Sequence, residues 1–250
     1  MNPCELTEKG ELKLLLNKMR PVSCDKELIR LGSKRDGGYL IPNDLAGIEA
    51  CFSPGVGCSS DFERDCADRG MRVFLADGFV EKPRLDHELF HFTRKYLGIL
   101  TNDNCMTIDD WVSSSLPDSQ GDLLLQMDIE GFEYEVLLGM SDKLLKRFRI
   151  IAIEFHDLNG LWNNLFFKLV SRMFEKLLQT HTCLHNHPNN YADSVKMEEI
   201  EIPMVTELTF LRNDRIKHSS FAETFPHPLD KDNTKARPSL PLPECWYKVL

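Results

Sequence analysis

Residues 121–139 read GDLLLQMDIEGFEYEVLLG, and no other stretch limits so sharply what this chain can fold into. The apolar run from Leu123 to Met127 stops abruptly at Asp128, Glu130 and Gly131. Glu133 then opens an amphipathic segment carrying Tyr134, Val136, Leu137 and Leu138. A continuous apolar run bounded by turn residues is the pattern of a strand buried on both faces, as in parallel sheets. Open α/β sheets take their ligands beyond the carboxyl ends of the strands, where these acids fall. Gly131 allows the sharp exit, and Glu133 suits the first turn of a helix, where negative charge is favoured. Two readings of the three carboxylates stand: members of a site, or solvated loop and cap residues.

At 250 residues the chain is one large domain or two small ones. It reads as one, with an N-terminal helix and hairpin lip (1–47), a core (48–215) and a Pro-rich tail (216–250). A net charge of −9 opposes binding to nucleic acid or anionic membranes. No run reaches the roughly 20 apolar residues of a membrane span. The first residues, MNPCELTEKGELK, are charged and lack an apolar segment, which sets the expectation of a cytoplasmic protein. The eight cysteines are scattered without a CxxC pair, so reduced thiols are expected and a zinc ribbon is not.

From residue 48 to 180 strand patterns alternate with helix patterns, which argues for a mostly parallel sheet with helices on both faces. A helix over 5–19 precedes them, followed by a hairpin over 28–42 around Asp36-Gly37-Gly38, either a plain turn or a lip whose Lys34, Arg35 or Asp36 faces a ligand. A strand ending at Ser53 runs into Pro54-Gly55-Val56-Gly57, and a helix follows with Glu63 in its first turn. The next strand, 71–78, ends in Asp77, about 20 residues beyond the glycines. Glycines admit close backbone approach, and an acid at that distance accepts hydrogen bonds from ribose hydroxyls. The unit predicts a nucleoside-containing cofactor. Thr107 caps a short helix over 106–115. The strand 148–158 places Glu154 and His156 on one face. A helix over 161–179 presents Trp162, Phe166, Leu169, Val170, Met173 and Leu177 to the core. If 181–187 is extended, His181, Cys183, His185 and His187 share a face, which is either a metal-binding row or a polar sheet rim. Two strands in 200–214 suggest a terminal antiparallel hairpin, and the last 33 residues an irregular wrap.

SPGVGCSSDFE (53–63), VFLAD (73–77), MTIDDW (106–111), LLLQMDIEGFEYEVL (123–137) and IAIEFHDL (151–158) together resemble the FkbM-like methyltransferases. The most specific piece is Asp128-Ile129-Glu130-Gly131-Phe132-Glu133, which is similar to that family's DxEGxE signature. The resemblance covers about 30–215 and implies the Rossmann-like class I methyltransferase fold. That fold is an α/β architecture with a mostly parallel seven-stranded sheet and an antiparallel terminal strand. It implies S-adenosyl-L-methionine as cofactor, with Ser53, Gly55 and Gly57 at its methionine end and Asp77 at its ribose, and transfer to a hydroxyl of a sugar or other small polar acceptor. Proteins of this fold usually carry an acid where Ser53 stands. Amine recognition then falls to backbone carbonyls or to Asp128.

Methylating a neutral hydroxyl requires loss of its proton, taken by a base or eased by a metal ion. Asp128, His156 and His187 are expected around the acceptor oxygen, either as ligands of a divalent ion or with one histidine as the base. Asp36, Glu154 and Asn190 are the candidate acceptor contacts. The rival readings are a non-catalytic nucleotide- or glycan-binding module and a nicotinamide-dependent oxidoreductase. The missing third glycine of GxGxxG opposes the latter. A hydrolase is opposed by the absence of a GxSxG elbow. Acceptor identity and oligomeric state are open at this level.

Overall fold

The computed structural model describes residues 5–57 and 59–249. Its centre is a seven-stranded sheet: β1 (Ile48–Pro54), β2 (Arg72–Ala76), β3 (Phe90–Thr93), β4 (Asp122–Met127), β5 (Phe148–Phe155), β6 (His181–Pro188) and β7 (Thr206–Arg212), in the order β6-β7-β5-β4-β1-β2-β3. β7 runs antiparallel between β5 and β6, and the other neighbouring pairs are parallel. This is the expected Rossmann-like α/β sheet. Every residue of β5 is buried, as expected of a central strand, and this includes Arg149 and Glu154 within its otherwise apolar run.

The helices are α1 (Lys9–Lys18), α2 (Asp61–Ala67), α3 (Ile108–Ser115), α4 (Glu133–Gly139), α5 (Asp142–Leu145) and α6 (Asn164–Leu178). α1, α3, α4, α5 and α6 bury their apolar sides in one core with Phe52, Leu125 and Ile153. α2 and the hairpin Leu28–Gly32/Gly38–Pro42 form the second core, with Phe62, Tyr39 and Ile41 packed on Leu124 and Ala152. The hairpin face of the sheet therefore carries Gln126, Glu154 and Glu207, and the reversal of the chain after β4 leaves Asp128 there too.

Four expectations change. The helix predicted from 161 starts at 164, because the Asn163 side chain accepts the Leu165 and Phe166 N–H groups, and Leu158–Trp162 is a separate 3-10 turn. The buried stripe accordingly holds Phe167 and Phe174, while Leu169 is exposed. In β6 the register slips between Cys183 and His185. This bulge puts His185 and His187 on the face opposite Cys183, so the four-residue row does not form. Ile200–Pro203 pairs with Ser194–Met197 in a separate ribbon and not with β7. The tail contributes a strand, Ser219–Phe221, on Val22–Cys24, and its Trp246 is wholly buried, the indole N–H donating to the Glu201 carbonyl at 2.9 Å. Cys24, Cys51, Cys66, Cys105, Cys183 and Cys245 are free thiols, and Cys4 and Cys58 lie outside the described residues.

Candidate functional site

β1 ends in the glycine turn. Gly55 has φ +88°, and a Cβ there would lie 1.6 Å from the Asp128 carbonyl oxygen. Only glycine fits where the β1 and β4 ends converge, and the Asp128 N–H donates to the Pro54 carbonyl at 3.2 Å. Gly57, at φ +51°, faces open space. Asp77 closes the turn from β2: one carboxylate oxygen accepts the Val56 N–H at 3.2 Å, and the other accepts the Phe79 and Val80 N–H groups at 2.7 and 3.1 Å. Asp77 thus joins the glycine turn to the loop after β2.

Beside this turn lies a cavity of about 240 Å³. Its walls come from the hairpin (Asp36, Tyr39), the turn (Gly55, Gly57), α2 (Phe62, Glu63), β4 (Gln126, Asp128), Tyr191 and Asn233. Ser53 is fully buried behind it. Its hydroxyl lies 2.5 Å from Glu63 Oε1 and 2.6 Å from Gln126 Oε1. Burial raises the Glu63 carboxyl to about 7.

A second cluster adjoins Asp128. His156, just past β5, has Nδ1 3.1 Å from Glu133 Oε1, while that oxygen also accepts the Ile129 and Gly131 N–H groups. The other ring nitrogen, Nε2, is 3.5 Å from Glu154, 3.6 Å from Glu130 and 3.8 Å from Asp128. Asp128 Oδ1 is buried and, among the described residues, without a hydrogen-bond partner. Burial raises the Asp128 carboxyl to about 7, an effect that His156 opposes and Glu130 adds to. Burial alone would depress His156, but the Glu133 bond and the surrounding carboxylates hold it above its ordinary value. Donor atoms of Asp128, Glu130 and His156 lie within 4.8 Å of one another, the spacing of ligands about one cation. Glu133 fixes the imidazole as an outer partner of a ligating histidine does.

Glu154 leads into a third group. It pairs across the sheet with Glu207, and Asp36 joins them within 4.8 Å. The Asn189 amide donates to both Glu154 oxygens at 3.1 and 3.2 Å, and the Asn233 amide donates to Asp36 and Glu207 at 3.1 and 2.6 Å. Burial raises both glutamates, Glu207 to about 8.

The structure therefore gathers Gly55, Gly57, Asp36 and Asp128 on one cavity and sets His156 and Glu154 beside it. His187 stands apart: Nε2 donates to the Lys231 carbonyl at 3.0 Å, and Nδ1 is 3.7 Å from Asp230. Asn190 is also committed elsewhere, its amide clasping the backbone of Thr234 at 2.9 Å in both directions. Sequence reasoning read Glu63 only as a first-turn residue and left Glu130 and Glu133 between site members and solvated loop or cap residues without giving either a role, although both stand in the DxEGxE stretch itself. Nothing local announced Asn233, which arrives from the tail.

Among the described residues no helix is long and apolar enough to cross a membrane. A search of curated proteins finds no match to the chain. The family described as the methyltransferase FkbM domain matches residues 69–181, from the end of the α2 crossover to the first residue of β6, with the glycine turn just ahead of the match. That stretch contains Asp77, Asp128, Glu133 and His156, and over it the chain is similar to the methyltransferase FkbM domain.

Proposed function

We propose that the protein is an S-adenosyl-L-methionine-dependent O-methyltransferase acting on a hydroxyl of a sugar or other small polar acceptor, in the cytoplasm. The observation that carries this reading is His156. Its outward nitrogen is ringed by Asp128, Glu130 and Glu154 at 3.5–3.8 Å, at the strand ends beside a glycine turn that only glycine can form. The cofactor's fit is supported by the open side of Gly57, the partnerless Asp128 oxygen and the acceptor-rich wall of the cavity. When bound, S-adenosylmethionine supplies an electrophilic methyl group. The glycine turn would hold its methionine end and Asp77 its ribose, with Asp128 between the methionine end and His156.

The chain's own chemistry is the removal of a proton. His156, oriented through Nδ1 by Glu133, presents Nε2 to the acceptor oxygen and takes its proton. Glu154, held by Asn189, and Asp36 would accept hydrogen bonds from neighbouring hydroxyls of a polyol. A divalent ion held by Asp128, Glu130 and His156 would instead lower the hydroxyl pKa. The carboxylate-rich donor set suits a hard cation.

The test is methyl transfer from labelled S-adenosylmethionine to a panel of sugars and polyols, with and without chelator. Turnover with loss of at least about 100-fold in His156→Ala is expected. Unchanged turnover in chelator removes the metal version. Full activity in His156→Ala removes both, and no transfer to any hydroxylated acceptor overturns the reading.

A further inference from the structure

We propose that Glu63, reaching in from α2, takes the place of the acid missing at the end of β1 and binds the ammonium group at the methionine end of the cofactor. The proposal rests on the S-adenosylmethionine reading above.

Ser53 ends β1 where a carboxylate would be expected, and it is fully buried. Glu63 reaches that same point from the first turn of α2: its Oε1 lies 2.5 Å from the Ser53 hydroxyl. The side chain is 4% exposed, yet it lines the cavity together with Gly55 and Asp128. The carboxylate therefore occupies the ground that an acid at residue 53 would hold, ten residues later in sequence and from another element.

The proton count at this spot points to a cationic visitor. Ser53 has one hydroxyl proton and two oxygen neighbours, Glu63 Oε1 and Gln126 Oε1. Turning the Gln126 amide supplies a donor to Ser53, but it leaves Glu63 with Ser53 as its side-chain donor among the described residues. A buried carboxylate with so little compensation is costly to ionise, in keeping with the raised carboxyl described above. A ligand bearing N–H donors and a positive charge supplies what the wall lacks. Across the cavity the Asp128 carboxylate, with its partnerless oxygen, adds to the same preference.

Calorimetry with two nucleosides tests this. S-adenosylhomocysteine carries the ammonium, and 5′-methylthioadenosine has the same adenosyl sulfur without the amino-acid end. The parent is expected to bind the first more tightly than the second. In Glu63→Gln, which keeps size and shape, S-adenosylhomocysteine should weaken about 10- to 100-fold, the range of a lost charge-assisted bond. Methylthioadenosine should bind as in the parent, which also shows that the variant is folded. Equal losses for both nucleosides, or no loss for either, overturn the proposal. A parent that binds the two equally also overturns it while leaving the cofactor reading intact, whereas a parent that binds neither overturns the cofactor reading itself.

Discussion

Gly55 sits against the backbone of Asp128 so closely that a methyl group on it would lie 1.6 Å from the Asp128 carbonyl oxygen. The glycine turn and the acidic strand end thus define one another's positions. Gly55→Ala must both part the ends of β1 and β4 and hold alanine at φ +88°. The strain alone is of order 1–3 kcal/mol, or roughly 2–4 °C in Tm for each kcal/mol in a chain of this size. Thermal unfolding should show that loss, and calorimetry should show no measurable S-adenosylhomocysteine binding. A variant with parental Tm and affinity would sink the idea that this contact sets the site.

Glu133 is completely buried, and one of its oxygens serves the Ile129 and Gly131 N–H groups as well as His156 Nδ1. Glu133→Gln can keep an acceptor there but removes the charge that fixes the imidazole. Outer partners of a working histidine typically contribute 10- to 100-fold in metal affinity or activity. A kcat reduced by that range, with KM for S-adenosylmethionine nearly unchanged, is the expected result. A change confined to KM would argue that Glu133 serves only the loop backbone.

How much of this was legible in the chain follows from distance in sequence. β4 and Asp128 could be read because an apolar run with an acid at its end is a local pattern. The glycine turn and Asp77 could be read because their spacing is that of one βαβ unit. The Asn163 cap went unread, because the apolar residues before it drew the helix three residues early. The bulge between Cys183 and His185 could not be read, because a period of two holds only until the partner strand slips. Glu63 looked like an ordinary first-turn acid, since its contact with Ser53 exists only once β1 and α2 have packed. Asn233 meets Glu207 across a sequence separation of 26 residues that takes in the rest of β7 and the start of the tail, with no periodicity to announce it.

Asn190 is one tie of the tail over the site: its amide donates to the Thr234 carbonyl while its oxygen accepts the Thr234 N–H, both at 2.9 Å. Asn190→Ala leaves those buried backbone groups unpaired, at about 1–3 kcal/mol. Limited proteolysis should then cut within residues 222–240 well before the core is attacked. Because Asn233 lines the cavity, S-adenosylhomocysteine should slow the cleavage of the parent tail. Identical digestion of parent and variant would show that the clasp is dispensable.

Stability should fall on both sides of mildly acidic pH, for two separate reasons. Burial drops His181 from 6.5 to about 4, against the bond to the Phe148 carbonyl, which favours the charged form. Stability from its neutral form is complete above 6.5 and is lost as pH falls toward 4. Glu207 moves the opposite way, raised by burial from 4.5 to about 8. Its folded state holds a proton that the unfolded chain releases near 4.5, so that contribution is full below 4.5 and is lost as pH rises through 8. The two oppose one another between 4.5 and 6.5, and above 6.5 the Glu207 loss continues, joined by those of Glu63 and Asp128, which burial raises to about 7. In chelator, Glu207 alone should therefore lower the parent's stability between pH 6.5 and 8.5 by on the order of 2 kcal/mol, at 1.36 kcal/mol per pKa unit with allowance for relaxation, which is roughly 2–4 °C in Tm for each kcal/mol. Glu207→Gln cannot ionise, so its Tm should match the parent near pH 5 and exceed it at pH 8.5. Parallel Tm curves for the two proteins across that range would mean that Glu207 is not the group that makes the folded chain retain its proton.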